Sequence, residues 1–121
     1  MQIGIDVGAT KIESVVLEES GNEKHRSRTN CPKDYLSIIT TIKDISKKLE
    51  KEFQKELPIG VCHPGIHSPQ TGLVKNAPNC YWLEKKPFQN DLRKALGKEV
   101  FCENDANCFA LSESIDGSGK H

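Results

Sequence analysis

The stretch from about Asp34 to Glu56 constrains this chain most. Tyr35, Ile38, Ile39, Ile42, Ile45, Leu49 and Phe53 recur at helical spacing, while Lys43, Asp44, Lys47, Lys48, Lys51 and Glu52 lie off that stripe. A helix with one apolar face gains most of its stability by laying that face on a partner, and its charged side is most simply solvated. The residues ahead of it supply the partner. Ile3, Ile5 and Val7 alternate, which predicts a strand over residues 2–7 with Asp6 on the opposite face near its end. Gly8-Ala9-Thr10 reads as a tight turn and Ile12 to Leu17 as a second strand. Glu18 to Asn22 reads as a second turn, and Glu23 to Thr29 as an edge strand.

Pro58 ends the helical stretch, and Ile59-Gly60-Val61-Cys62 predicts a short apolar strand running into His63-Pro64-Gly65. Residues 66–80 are rich in Pro, Gly, Asn and Ser and read as loop, with a small hairpin around Gln70-Thr71-Gly72. Phe88 to Leu96 fits a second helix closed by Gly97, and Glu99 to Cys102 a further strand. Asn104-Asp105 reads as a helix start with Ala106, Phe109 and Ala110 on one face. The order β-β-β-α-β-α-β-α predicts an α/β domain, a mixed sheet with flanking helices.

At 121 residues, with 29 Leu, Ile, Val and Phe, the chain has the length and apolar content of one core. Seventeen Lys+Arg balance 17 Asp+Glu, a formal net charge of zero, which argues against nucleic acid or a membrane surface as partner. No apolar run approaches the ~18 residues of a membrane-crossing helix. No basic segment leads a hydrophobic one at the N-terminus, so a cytoplasmic protein is expected. Cys31, Cys62, Cys80, Cys102 and Cys108 are odd in number, form no C-x-x-C pair and read as reduced thiols. His25, His63, His67 and His121 show no zinc-ligand spacing with them.

Three segments could carry chemistry. Asp6-Val7-Gly8-Ala9-Thr10-Lys11 sets a strand-end carboxylate, a glycine turn, a hydroxyl and a lysine within six residues. Glycine lets backbone N–H groups approach an anion, Thr10 and Lys11 add donor and charge, and Asp6 could hold a hydrated Mg²⁺. The plainer reading is a hairpin whose Asp and Thr satisfy the turn. In Glu103-Asn104-Asp105-Ala106-Asn107, Asp105 could accept a proton from a substrate hydroxyl and Asn104 could orient that substrate. The same residues would also serve as a helix cap. Gly60-Val61-Cys62-His63-Pro64-Gly65, with Asn76 further on, gives a fixed turn whose backbone could approach a ligand. Cys62 and His63 do not read as a thiol–imidazole pair, because adjacent strand residues face opposite ways, and His63 and His67 read as loop residues.

Together, in this order and spacing, these segments resemble the N-terminal lobe of the ROK family of sugar kinases. The resemblance runs from Ile3 to about Lys120. It is carried by Ile3-Gly4-Ile5-Asp6-Val7-Gly8-Ala9-Thr10-Lys11, Gly72-Leu73-Val74-Lys75-Asn76-Ala77 and Glu103-Asn104-Asp105-Ala106-Asn107-Cys108. Ser68-Pro69-Gln70-Thr71-Gly72, Trp82-Leu83 and Ser112-Glu113-Ser114-Ile115-Asp116-Gly117 make it most similar to the bacterial fructokinase/mannokinase branch. N-acetylglucosamine kinases and glucokinases of the family are the alternatives.

The resemblance implies an actin-like ATPase (ribonuclease H-like) fold, with residues 1–121 as the N-terminal lobe only. It implies ATP-dependent phosphorylation of a hexose hydroxyl, with Asp105 as general base and Asn104 bonded to the sugar. Pro64, Gly65, Asn76, Asn104 and Asp105 would line the sugar pocket. Asp6, Gly8, Ala9, Thr10 and Lys11 would face the ATP phosphates, with Mg²⁺ at Asp6 through water. Cys62-His63 departs from the small or aliphatic residues usual before Pro-Gly. The second lobe, and the zinc-binding cysteines that the family carries there, would lie beyond His121. The isolated chain is accordingly expected to be inactive as a kinase and to self-associate, as a homodimer or otherwise, through its exposed lobe surface. The rivals are a fragment of a sugar-responsive repressor, or a non-catalytic sugar-binding fragment.

Overall fold

The computed structural model describes residues 1–77 and 80–104. Strands β1 (Gln2–Val7), β2 (Lys11–Leu17) and β3 (Glu23–Asn30) form an antiparallel meander, followed by helix α1 (Tyr35–Phe53) and strand β4 (Ile59–His63). The short strands β5 (Ile66–His67) and β6 (Val74–Lys75) form a hairpin. A 3-10 turn (Tyr81–Leu83), helix α2 (Phe88–Leu96) and strand β7 (Val100–Asn104) complete the described chain. The main sheet has the order β3-β2-β1-β4-β7, with β1, β4 and β7 mutually parallel.

The alternation read in β1 sets the layering. Ile3, Ile5 and Val7 are buried together with Ile12 and Val16 of β2, Ile59 and Val61 of β4 and Val100 of β7. Onto this face α1 lays Ile38, Ile42 and Leu49, and α2 lays Phe88 and Leu92. Each such side chain contributes about 1.5–3 kcal/mol when fully buried. The register places Gly4, Asp6, Glu13, Val15, Gly60 and Phe101 on the other face, where Phe101 is 67% exposed.

Helix α1 begins where its cap lies. The Asp34 carboxylate accepts from the Ser37 amide at 2.9 Å and from its hydroxyl at 2.7 Å. It ends three residues before the expected Glu56, because Gln54 turns left-handed (φ 57°). That turn delivers Leu57 to the core, while the Glu50 carboxylate takes the Leu57 amide at 2.9 Å and Lys98 Nζ at 2.6 Å. Helix α2 runs as expected from Phe88 to Leu96, and Gly97 closes it at φ 69° with its amide donating to Arg93 O.

Three expectations need correction. Residues 81–83, just past the stretch read as loop and given no element from sequence, form a 3-10 turn (Tyr81–Leu83); a single turn is too short to show a period. His63 and His67 are strand residues rather than loop residues, because the chain continues from β4 through one tight turn into β5. Cys31, Cys80 and Cys102 form no disulfide, but Cys62 is disulfide-bonded, so the reading of five reduced cysteines fails at that residue. Cys62 faces away from the helix-covered side on which Val61 and His63 are buried, which leaves its sulfur outside the core. Cys108 lies outside the described residues.

Candidate active site

Because β1, β4 and β7 are parallel neighbours, their carboxyl ends fall along one edge of the sheet. The register sets Asp6 beside Cys62 and His63 beside Asn104. This is the edge at which open α/β sheets bind ligands. Two of the three segments singled out from sequence reach it within the described residues. Asn104 of the third is the last residue of β7, and Asp105 lies outside them.

The first segment is local in construction. The Gly8 amide donates to Lys11 O at 2.8 Å, closing the β1–β2 turn, and a Cβ on Gly8 would stand 3.1 Å from that same oxygen. Thr10 O accepts the Cys31 amide at 2.9 Å, which ties the turn to the end of β3. The amides of Ala9 and Thr10 donate to no described backbone group. Lys11 Nζ bonds Asn30 Oδ1 at 2.6 Å, across its strand pair, so its ammonium is engaged along the sheet edge. The Asp6 carboxyl is held above its ordinary pKa, first by loss of hydration and then by the negative charge of Glu13, its cross-strand partner. Glu13 is taken up by Arg26 at 2.8 Å and Arg28 at 3.4 Å, which leaves the Asp6 carboxyl as the group that could accept from a hard cation's water shell. The residues present therefore fit a hydrated Mg²⁺ at Asp6.

The second segment is built from distant parts of the chain. Gly65 is left-handed (φ 78°), and a Cβ there would stand 2.6 Å from Lys75 O, 3.0 Å from Ala77 Cβ and 3.1 Å from Val74 Cγ1. Only glycine fits. Asn76, itself left-handed at φ 61°, is thereby set beside Gly65, and the Glu84 carboxylate fixes the next residue by accepting the Ala77 amide. Asn104 Nδ2 donates to Gly65 O at 2.7 Å. Pro64, Gly65, Asn76 and Asn104 thus come together. The Cys80 thiol lies 4.0 Å from Gly8 O, which brings this loop against the first turn.

Sequence reasoning missed the groups behind the loop. His63 is fully buried, and its Nδ1 lies 2.8 Å from Pro64 O. The His67 ring meets it edge-on with centroids 4.8 Å apart. Burial lowers the pKa of His63 against the opposing pull of Pro64 O and Glu103. Burial and then the His63 charge lower His67 to about 4. The departure from small residues before Pro64-Gly65 was the available signal.

With this geometry in place, comparison with known proteins decides the family: residues 2–121 match the model of the ROK family. The chain belongs to the ROK family. It is 40% identical over 117 residues to an N-acetyl-D-glucosamine kinase of Haemophilus influenzae, covering 96% of this chain and 38% of that protein. A Vibrio atlanticus protein of the same name is 40% identical over 119 residues, with the same coverage. The chain thus spans 38% of the length of these curated relatives.

Among solved structures, a ROK glucokinase of Streptomyces griseus in complex with glucose and AMPPNP superposes with TM-score 0.82 at 27% identity. That alignment covers 98% of this chain and 37% of that one. The ROK hexokinase of Thermus thermophilus gives 0.81 at 27% identity, over 96% of this chain and 40% of that one. The fold is therefore the actin-like ATPase fold expected from sequence. A ROK transcriptional regulator shares the fold alone, at TM-score 0.73 and 19% identity.

Proposed function

We propose that this ROK chain forms the N-terminal lobe of an ATP-dependent sugar kinase and holds both the sugar and the ATP phosphates at the carboxyl edge of β1, β4 and β7. The observation that carries the proposal is the convergence there of the Gly8 turn with the loop held by the Asn104–Gly65 bond. The acceptor we favour is N-acetylglucosamine, because relatives at 37–40% identity bear that name. A fructose- or mannose-type acceptor, suggested by Ser68-Pro69-Gln70-Thr71-Gly72 and Trp82-Leu83, is the second reading.

Phosphoryl transfer asks mainly for positioning and for neutralised charge. The Ala9 and Thr10 amides of the turn face the phosphates, Gly8 lets the backbone approach them, and Lys11, bonded to Asn30, adds positive charge beside the turn. Mg²⁺ bound through water at Asp6 would supply charge neutralisation on the phosphates. Pro64, Gly65, Asn76 and Asn104 orient the sugar, and Asp105 accepts the proton of the attacking hydroxyl as it closes on the γ-phosphorus.

Sugar-dependent ADP release by the whole gene product tests this, with N-acetylglucosamine, glucose, mannose and fructose compared by kcat/KM. N-acetylglucosamine is expected to rank first; fructose or mannose ranking first would transfer the assignment to the second reading. Asp105→Ala should lower turnover by about 10²–10⁴-fold while the protein stays folded, and retained turnover would remove Asp105 as the base.

A further inference from the structure

The two carbonyls on either side of the Gly65 amide–carbonyl unit are each held by a strand end. Gly65 O is taken by Asn104 Nδ2 at 2.7 Å, and Pro64 O faces His63 Nδ1 at 2.8 Å. His63 and Asn104 are register partners on β4 and β7, so one pair of neighbouring residues grips two successive peptides of the loop. A carbonyl only accepts, so the proton of His63 must sit on Nδ1.

That choice leaves His63 Nε2 bare. It is buried and has no hydrogen-bond partner among the described residues. An orphaned nitrogen in a core is costly, and an aliphatic side chain would fill the same space beside Phe88, whose ring meets His63 edge-on at 5.5 Å, without that cost. What only the imidazole supplies is the bond to Pro64 O.

The His67 ring is fixed in its turn. Its Nε2 accepts the Gln89 amide at 3.4 Å, and Gln89 Oε1 accepts the Cys102 amide of β7 at 2.8 Å. His67 Nε2 is thereby committed and bears no proton to offer the neighbouring ring. Among the described residues no group of three or more His, Cys, Asp or Glu could hold a metal ion, so the pair is not a metal site within them.

We propose that His63 is a positioning residue for the sugar loop: its Nδ1–H bond to Pro64 O fixes the peptide ahead of Gly65 and so sets the affinity for the sugar. This rests on the reading of Pro64 and Gly65 as sugar-binding.

The test uses the whole gene product and three forms of residue 63, with calorimetric sugar binding, steady-state kinetics and thermal melting. His63→Leu removes the donor and the orphaned nitrogen together. It should melt no lower than wild type, yet raise KM and Kd for N-acetylglucosamine about tenfold, the factor expected for one lost hydrogen bond, with kcat changed less than about twofold. His63→Asn, whose amide reaches the Nδ1 position, should restore most of the affinity. Unchanged KM in His63→Leu, or no recovery in His63→Asn at wild-type melting temperature, overturns the proposal. If the wild-type protein binds none of the four sugars, the sugar-loop reading fails first and carries this proposal with it.

Discussion

The turn at Gly8–Lys11 and the loop at His63–Asn76 stand at the same edge of the sheet but are held by different means. The first is closed by contacts within the β1–β2–β3 meander, Gly8 to Lys11 and Lys11 to Asn30. The second is held by residues 39 positions apart, Asn104 to Gly65, and by a glycine enclosed by Val74, Lys75 and Ala77. A phosphate needs donors that water can reach and charge that can adjust. A neutral sugar needs shape, and shape requires packing from several directions. The locally built turn should tolerate change, and the long-range loop should not.

The largest expected break in this comparison is Gly65→Ala. The new Cβ would meet Lys75 O at 2.6 Å, in a left-handed backbone. A loss on the order of 3 kcal/mol or more should follow, read by chemical denaturation. A loss below about 1 kcal/mol would show the loop to be as adaptable as the turn.

Next is the response to acid. His63 and His67 are both held below their ordinary value of 6.5, His67 to about 4. Between those values the unfolded chain binds protons that the folded chain refuses. Stability is therefore complete above the unfolded pKa and falls as pH drops toward the folded one. Melting temperatures taken from about pH 7.5 to about 4.5 should decline, and His67→Gln should flatten the decline. An equal decline in wild type and variant would mean that the rings titrate freely in the folded state.

The smallest effect belongs to Gly8→Ala. Its Cβ would lie 3.1 Å from Lys11 O at an ordinary φ, so the hairpin needs only a shift of a few tenths of an ångström. About 1 kcal/mol of stability is at stake. Nucleotide affinity of the whole gene product should fall while sugar affinity holds, and a matched loss of both would erase the distinction.

Much of this architecture was legible because its signals are short-range. The alternation of Ile3, Ile5 and Val7, the stripe from Tyr35 to Phe53, and Gly97 after Leu96 each report a backbone preference within a few residues. The Asp6–Lys11 turn was legible for the same reason. The early end of α1 was not, because Gln54 turns left-handed to deliver Leu57 to the core. The bond from Lys11 to Asn30 was not legible either, since nothing local says that Asn30 stands across the sheet from it.

The sequence by itself determined the strands of the main sheet, helices α1 and α2, the α/β class and the family whose motifs Asp6–Lys11 and Glu103–Asn107 carry; the helix read from Asn104-Asp105 onward lies outside the described residues. Tertiary structure alone decided that His63 is buried, that it faces Pro64 O with a bare Nε2, and that it stands beside Asn104. A residue's chain neighbours fix its backbone preference. What its side chain touches depends on which strands lie side by side, and β4 and β7 are paired across the intervening hairpin and α2.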